Sequence, residues 1–397
     1  MNIKRLRKFW RKNAPLIWWG VVGAVVLAWL LLYRLGTLTT GVSATELHTA
    51  TAPVGWHGLW QNPLELPLKL LRSVVFYAFP HHGALKTRLP NAFLGGLMVL
   101  AFAAVLKLWH GTRTALLAPL LFATSAWLLH VSRLASSDVL YLLTLPVLLL
   151  THVGLQKRAE KPFIIFVVLL AWSLLLTIPG TIWFVLWSLI WQRSTLLTAL
   201  KSLKSWQRPL AALAGLLWLP ALLIATLHHH ANGINWLGLP SHYASPLTMV
   251  HNFGAVFVHL FAQGPDNAEL WLGRAPLLDV FTLVACLLGL YFYIRHWRAS
   301  RTRLLGGFLL LGALLISLGG PVSLSFLVPL LYILAATGIT YLLHEWLAVF
   351  PLNPIARGLG IGLIVAAVGL ASLYNLRAYF VAWPHNPTTQ ATFKYHL

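Results

Sequence analysis

The chain has 397 residues, of which 58% are hydrophobic and only 9% are charged, with a formal net charge of +21. A soluble domain carries about 25% charged residues because water must wet its surface, so this composition excludes an ordinary soluble protein. The basic residues are spread over short segments between apolar runs and do not form one surface interleaved with aromatic residues, which argues against nucleic acid as a partner.

The apolar runs are about 18–22 residues long, enough to span a hydrocarbon core of roughly 30 Å. The sequence therefore predicts an all-α, polytopic membrane protein with about eleven transmembrane helices. They lie near residues 15–35, 91–109, 114–131, 138–155, 162–178, 180–192, 209–227, 276–294, 303–319, 324–342 and 356–376. Only Pro179-Gly180 separates the fifth run from the sixth, so this pair is either a tight hairpin or one broken helix. The first run is longer than the roughly 7–15 residues of a signal-peptide core, which favours a retained helix.

The positions of the basic residues predict the orientation of these helices. If the N-terminus is cytoplasmic, 20 of the 29 Lys and Arg residues lie on the inner side, as the positive-inside rule expects. This orientation, in a plasma membrane, places the C-terminus and two long loops, about 36–90 and 228–275, outside. Residues 1–397 are then one transmembrane domain with no separate soluble domain.

Most acidic residues also fall on the predicted outer side. The six are Glu46, Glu65, Asp138, Asp266, Glu269 and Asp279, out of eight in the chain. Ionised groups near lipid are costly unless they face a cavity or a partner. The asymmetry therefore indicates an outward-facing polar cavity, or it reflects only that loops are where acidic residues are tolerated.

The first outer loop contains a further apolar segment. Residues 63–79 are apolar with a basic edge, which predicts an amphipathic helix lying along the membrane interface. A re-entrant or ordinary core segment is the alternative.

Three stretches carry a resemblance to a known family. The first stretch is residues 35–50, directly after the first helix. The second begins with Leu-Lys-Thr-Arg-Leu-Pro-Asn-Ala at 85–92 and leads through two helices to Ser-Arg-Leu-Ala-Ser-Ser-Asp at 132–138. The third is Gly-Pro-Asp-Asn at 264–267, followed by Pro-Leu-Leu-Asp at 276–279. In this order and spacing, the stretches resemble the GT-C class of membrane glycosyltransferases, specifically the group of protein O-mannosyltransferases and bacterial aminoarabinose transferases.

The resemblance implies a glycosyltransferase that moves a sugar from a polyprenyl-phosphate carrier to a lipid, glycan or protein acceptor at the outer membrane face. Cations stabilise the charge that develops on a leaving phosphate, and a carboxylate can take the proton of an acceptor hydroxyl. Arg88, Arg133 and Lys86 are accordingly expected at the donor phosphate, and Glu46 and Asp138 are the expected catalytic acids. The residues expected at the substrate and acceptor cavity are His81, His82, Asp266, Asn267, Arg274 and Asp279.

Each of these residues also has an ordinary structural role that the sequence leaves open. Arg88 and Arg133 could extend to lipid headgroups. Asp138 and Asp279 could be helix N-terminal acids, which the helix dipole favours. The resemblance also leaves a divalent metal ion open as a cofactor, but the sequence offers no ligand set for one, so no metal ligand is assigned.

One position departs from the family pattern. The family's acidic pair falls on Thr45 and Glu46, and a threonine cannot act as a base near neutral pH. Either Glu46 or another acid such as Asp138 or Asp266 takes that role, or the chain is a non-catalytic relative that binds polyprenyl lipid or a partner protein. A transporter or flippase is a further alternative, although only Pro179-Gly180 suggests the interrupted helices that such proteins use.

Overall fold

A computed structural model describes residues 18, 20–52, 55–79, 83–111, 114–158, 161–228, 233–265, 269, 272 and 275–396. Throughout these residues the regular structure is helical, and the β contact they contain is an isolated antiparallel bridge between Val42 and Tyr395. The all-α prediction is confirmed.

The described helices are, in chain order, α1 Gly20–Leu32, α2 Ala44–Thr51, α3 Trp56–Gln61, α4 Leu66–Ala78, α5 Ala84–His110, α6 Thr114–Ala123, α7 Ala126–Arg133, α8 Asp138–Arg158, α9 Pro162–Leu175, α10 Ile182–Ser202, α11 Gln207–Leu216, α12 Trp218–Leu227, α13 Gly233–Trp236, α14 Pro246–Phe261, α15 Val280–Arg295, α16 Ser300–Ser317, α17 Val328–Val349, α18 Pro354–Arg377 and α19 Pro387–Thr392.

Six stretches of the described chain are helical, apolar and long enough to cross a membrane. They are Ala84–His110, Asp138–Arg158, Gln207–Leu227, Ser300–Ser317, Leu324–Val349 and Pro354–Ala382. In lipid, a helix satisfies its own backbone hydrogen bonds, which is why these leucine-rich runs take this form. The count of about eleven spans stays a prediction, because the remaining apolar helices are shorter or interrupted.

One predicted span, 114–131, is broken into α6 and α7. At the break the Thr124 hydroxyl lies within hydrogen-bonding distance of the Leu120 carbonyl (2.9 Å) and of the Ser372 hydroxyl (3.0 Å), and the Asn375 side chain accepts from the Ala126 N–H (3.3 Å). The Asn375 side chain of α18 thus pairs a backbone N–H that an unbroken helix would pair itself. Long-range contacts of this kind cannot be found from the periodicity of the apolar run.

The fifth and sixth predicted helices form a hairpin. Ile165 near the start of α9 packs with Ala199 and Leu203 at the far end of α10, so the two helices run antiparallel. The turn between them uses Gly180 at φ 77°, where a Cβ would collide with Val322. The hairpin alternative is therefore correct, and α10 continues well beyond the predicted end at residue 192.

The segment 228–275, predicted as an outer loop, contains the apolar helix α14. His251, Asn252 and His259 interrupt its apolar run, which explains why it was not predicted. The helix packs on α16, where the Asn252 side chain donates to the Ser317 carbonyl (3.3 Å).

The predicted amphipathic segment 63–79 is the helix α4. Its start is fixed by Thr177, whose carbonyl and hydroxyl accept from the N–H groups of Glu65 (2.9 Å) and Leu66 (3.2 Å). The side chains of Val74 and Tyr77 are exposed. Its position along a membrane interface stays a prediction.

The helices α5 and α8 run parallel and define the two ends of the bundle. Lys157 at the end of α8 donates to the Leu108 carbonyl at the end of α5 (3.4 Å). An aromatic core lies between α5, α6 and α17, where the rings of Phe102 and Phe122 are 4.4 Å apart and those of Phe122 and Tyr332 are 4.8 Å apart. We call the end at which α5 and α8 begin the site end.

Candidate functional site

Glu46 and Arg88 form a buried ion pair at the site end. The sequence Ser43-Ala-Thr-Glu46 starts α2 as a capping box, in which the Glu46 carboxylate accepts from the Ser43 N–H (3.3 Å). The same carboxylate accepts from Arg88 Nε (2.8 Å) and Nη2 (2.7 Å) and from the Ala135 N–H (3.0 Å). Glu46 is completely buried and Arg88 is 4% exposed. Four donors therefore satisfy this carboxylate.

The remaining donors of Arg88 hold the chain that follows α1. Arg88 donates to the carbonyls of Leu35 (3.1 Å) and Gly41 (3.2 Å) and to the hydroxyl of Thr39 (3.1 Å). A buried charge is tolerated when it is paired and hydrogen-bonded, and this guanidinium is both. The pair thereby joins α2, α5 and the segment between α7 and α8.

Arg133 binds the end of α1 in a similar way. Its two terminal nitrogens donate to the carbonyls of Leu30 and Tyr33, each at 2.6 Å. The guanidinium also lies over the rings of Phe380 (4.9 Å) and Tyr379 (5.5 Å). Cations are favoured at the carbonyl end of a helix, so Arg133 stabilises the carboxyl end of α1.

The two arginines share a small cleft. Arg88 and Arg133 line it together with Thr39 and His130, and its volume is about 10 Å³, the space of about one water molecule. The family motifs around positions 88 and 133 are thus brought together in space.

Asp138 lines a separate, larger cavity of about 270 Å³, which shares no lining residue with this cleft. Its carboxylate accepts from the Ser136 hydroxyl (3.3 Å), and Ser323 is also within hydrogen-bonding reach. The cavity is lined by Trp127, Val131, Asp138, Leu142, Pro265, Leu277, Gly320, Pro321, Val322, Ser323, Leu324, Ser325 and Val328. Its size approaches the lower end of ligand pockets, about 300 Å³.

Lys86 lies in a third cavity, of about 320 Å³, between α2, α4 and α5. Its ammonium group is 4.2 Å from the centre of the Phe76 ring, a cation–π contact. Thr51 and His396 also line this cavity.

Burial also shifts the pKa of Lys69 in α4, the helix that packs beside this cavity. Burial lowers the pKa of Lys69 to about 8, Glu65 opposes this shift, and Arg72 adds to it. The Lys69 ammonium donates to the Asn62 carbonyl (2.6 Å).

Asp279 is the N-cap of α15. Its carboxylate accepts from the Thr282 N–H (3.0 Å) and hydroxyl (2.7 Å) and from the Asn375 side chain (2.9 Å). The structure therefore places Asp279 in the contact between α15 and α18. The other predicted cavity residues, His81, His82, Asp266, Asn267 and Arg274, lie outside the described residues.

Two residues that the sequence did not assign to the site contact it. The Glu269 carboxylate accepts from the Thr45 N–H (3.2 Å), and the Glu269 carbonyl accepts from His130 Nε2 (2.6 Å). The excess of acids on the predicted outer side included Glu269, but no local pattern connects residue 269 to residues 45 and 130. Among the described residues, no three His, Cys, Asp or Glu side chains come together as a metal site would require.

The architecture matches solved structures over nearly the whole chain. ArnT from Cupriavidus metallidurans in the apo state aligns with a TM-score of 0.61 and 13% sequence identity, covering 96% of this chain and 78% of ArnT. ArnT bound to undecaprenyl phosphate aligns with a TM-score of 0.55 and 14% identity, covering 95% and 76%. The chain has the GT-C fold. ArnT is an aminoarabinose transferase of the GT-C class, so the fold that the sequence motifs predicted is confirmed.

The GT-C fold and the apolar helices together show that the chain is an integral membrane protein. No protein-family model matches the sequence, and no curated protein matches it either. The likeness is therefore one of fold, at a sequence identity too low to transfer a substrate.

Proposed function

We propose that this protein transfers a sugar from a polyprenyl-phosphate carrier to a hydroxyl group of a lipid, glycan or protein acceptor at the outer face of the plasma membrane. The observation that carries the proposal is the meeting of three separate segments at the site end of a GT-C fold. Glu46 of α2 binds Arg88 of α5 and the N–H of Ala135, and Arg133 lines the same cleft as Arg88. The binding of undecaprenyl phosphate by ArnT supports a polyprenyl phosphate as the carrier.

The basic residues of the site provide the positive potential that a departing phosphate needs. As the bond between the sugar and the phosphate breaks, negative charge develops on the phosphate, and fixed cations stabilise it. The guanidiniums of Arg88 and Arg133 are held by carboxylate and carbonyl oxygens. We therefore assign them to positioning the surrounding chain and not to direct contact with the phosphate. Lys86 lies in an open cavity, and its ammonium is the group we assign to direct contact with the phosphate.

The acidic residues divide into two roles. The Glu46 carboxylate is occupied by four donors, so we assign it to holding Arg88 and the start of α2. Asp138 lines the 270 Å³ cavity with Ser323 and Trp127, and a carboxylate, a hydroxyl and an aromatic face suit the hydroxyl groups and apolar edges of a sugar or acceptor.

A non-catalytic lipid-binding protein is the second candidate. The saturated Glu46 carboxylate favours it, together with Thr45, which supplies no carboxylate of its own. Such a protein would bind polyprenyl phosphate at Lys86 without turning over a sugar.

Turnover by the purified protein separates the two functions. We expect the protein in liposomes to release undecaprenyl phosphate from at least one member of a panel of undecaprenyl-phosphate-linked hexoses and aminoarabinose, when a glycolipid, a glycan and a serine-rich peptide are supplied as acceptors. Asp138→Asn should reduce release, and Glu345→Gln, at an exposed position in the last part of α17, should not. Binding of undecaprenyl phosphate without any release would favour the second candidate, and absence of both would reject both.

A further inference from the structure

Four arginines lie close together at the end of the bundle opposite the site end. Arg295, Arg298, Arg301 and Arg303 connect α15 to the start of α16, and the sequence has no acidic residue from position 280 to position 344. Arg301 Nη1 donates to the Trp109 carbonyl (3.5 Å) in the last turn of α5, which fixes the position of this segment. All four side chains are exposed. We call residues 295–303 the arginine turn.

Hydrogen bonds to one carbonyl shape the backbone of the arginine turn. The His296 carbonyl accepts from the Ala299 N–H (2.9 Å) and from the Thr302 hydroxyl (2.9 Å). The first bond closes the turn after α15, and the second ties the first turn of α16 back to it. The arginines that follow therefore extend from a folded backbone.

Three guanidiniums of the turn lie over tryptophan rings. The pairs are Arg298 over Trp297 (5.3 Å), Arg301 over Trp109 (5.3 Å) and Arg303 over Trp191 (5.1 Å). Stacking uses the face of a guanidinium, whereas the N–H donors that bind phosphate lie along its edge. Tryptophan is enriched at the level of lipid headgroups, so we expect these three arginines at that level. Arg295 differs, because it contacts the Tyr291 hydroxyl (3.3 Å) and interacts with the charge of Glu345.

An apolar groove begins beside the arginine turn. It has a volume of about 470 Å³ and lies between α15, α16 and α17. Its walls are aliphatic side chains of all three helices, namely Leu290, Ile294, Leu305, Leu330 and Leu334. At Gly306, which also lines the groove, no described atom outside the adjacent part of its own helix would lie within 4 Å of a Cβ. The absence of a side chain at this position therefore helps to keep the groove open.

The arginines and the groove belong to one continuous surface. Residues three and four positions apart are neighbours on a helix, so Arg301 lies one turn before Leu305 and Arg303 lies just before Gly306. Arg298 is stacked on Trp297, which itself lines the groove. The positive charges therefore lie at the end of the groove nearer to the membrane surface.

We propose that this surface binds one anionic phospholipid, with its phosphate at Arg298, Arg301 and Arg303 and an acyl chain in the groove. The protein lies in a bilayer, and the exposed Ile294 at the groove is apolar, so hydrocarbon is the material that meets this surface. The cluster of arginines favours a lipid with net negative charge over a zwitterionic one. This site is separate from the site end and does not rest on the proposed sugar transfer.

The test measures lipid binding to the full chain in detergent by native mass spectrometry, with dioleoylphosphatidylglycerol and dioleoylphosphatidylcholine as probes. Wild type should bind one phosphatidylglycerol more tightly than any phosphatidylcholine. Combined replacement of Arg298, Arg301 and Arg303 by Gln should raise the Kd for phosphatidylglycerol about tenfold or more, since each basic residue strengthens binding to anionic lipid several-fold.

Gly306→Leu tests the groove without changing any charge. A leucine side chain there should displace a few buried CH₂ groups of the acyl chain and raise the Kd for phosphatidylglycerol about tenfold. Gly362→Leu in α18 is the matched control, because a Cβ at Gly362 also meets no described atom within 4 Å beyond its own helix. The matched control for the arginines removes three exposed charges from another segment, by Arg193→Gln, Lys201→Gln and Arg208→Gln. Both controls should leave the Kd unchanged, and lipid-free melting temperatures show that all variants fold.

Four results would overturn the proposal. Equal Kd values for the two lipids would make the surface unselective, and an equal loss in the triple control would make total charge the cause. Unchanged binding in Gly306→Leu would remove the acyl chain from the groove. A dimer of wild type that Gly306→Leu dissociates would assign the groove to a second copy of the chain.

Discussion

At the scale of single residues, the Glu46–Arg88 pair should hold the site end together. Removing one partner leaves a buried charge without compensation, which costs about 3–5 kcal/mol. We expect Glu46→Ala and Arg88→Ala each to lower the free energy of unfolding by this amount, and the double variant to lose clearly less than their sum. Chemical denaturation of the four proteins in detergent provides the double-mutant cycle.

Glu345→Ala is the control for that cycle, because Glu345 is exposed and distant in sequence from the pair. It should leave the free energy of unfolding unchanged. Strict additivity of Glu46→Ala and Arg88→Ala would show that the two side chains act independently, contrary to the contacts of 2.7 and 2.8 Å between them.

Lys69 gives a residue-scale prediction that depends on pH. Its pKa in the folded protein is about 8, mainly because of burial, and its ordinary value is 10.5. Between these values the unfolded chain binds more protons than the folded one, so stability should rise as pH increases through this window. Thermal unfolding in detergent across this pH range measures the effect.

Lys69→Met should remove that rise and increase the melting temperature at neutral pH, because the buried charge is gone. Lys201→Met is the control, since Lys201 is exposed near the end of α10. If the melting temperature depends on pH in the same way in wild type and in Lys69→Met, Lys69 is not the group that causes the rise in stability.

At the scale of elements, α15 and α17 pack through two glycines. A Cβ at Gly289 would collide with the Leu334 carbonyl, and one at Gly338 would collide with the Ala285 carbonyl. We expect Gly289→Ala and Gly338→Ala each to cost about 1–3 kcal/mol, the usual penalty of overpacking. Thermal or chemical unfolding in detergent measures the loss.

Gly306→Ala in α16 is the matched control, because no described atom outside the adjacent part of its own helix lies within 4 Å of the added methyl group. Alanine is a better helix former than glycine by about 0.5–1 kcal/mol, so this variant should be neutral or slightly more stable. Equal changes in stability for Gly289→Ala and Gly306→Ala would mean that α15 and α17 do not approach each other as closely as described.

Helices with long, uninterrupted apolar runs could be predicted from the sequence, and those shaped by distant contacts could not. The run 138–155 became α8 because a long, mostly apolar segment in lipid has little alternative to a helix. The break between α6 and α7 depends on Ser372 and Asn375 of α18, which lie more than two hundred positions away. The helix α14 was missed because polar residues interrupt its pattern.

At the scale of the whole molecule, the site was predictable in part. The motifs around Arg88 and Arg133 led to residues that line one cleft. The capping box of Ser43 and Glu46 was not predicted, although Ser-x-x-Glu is a known signal for the start of a helix. The contact of Glu269 with Thr45 could not be predicted, because it joins two residues that are 224 positions apart in the sequence. Asp279 is the N-cap of α15, which is the structural role that the sequence left open for it, and its role at the acceptor cavity stays a prediction.

Orientation in the membrane connects the charge pattern to the proposed function. The positive-inside rule predicts that the site end faces outward, opposite the basic residues between α15 and α16. Oriented proteoliposomes carrying an undecaprenyl-phosphate-linked sugar test both statements at once. We predict release of undecaprenyl phosphate when acceptor is added on the side of the site end, and none when acceptor is present only on the other side. Release from the wrong side would contradict the orientation, and no release from either side, with any donor of the panel, would contradict the proposed transfer of a sugar by this protein.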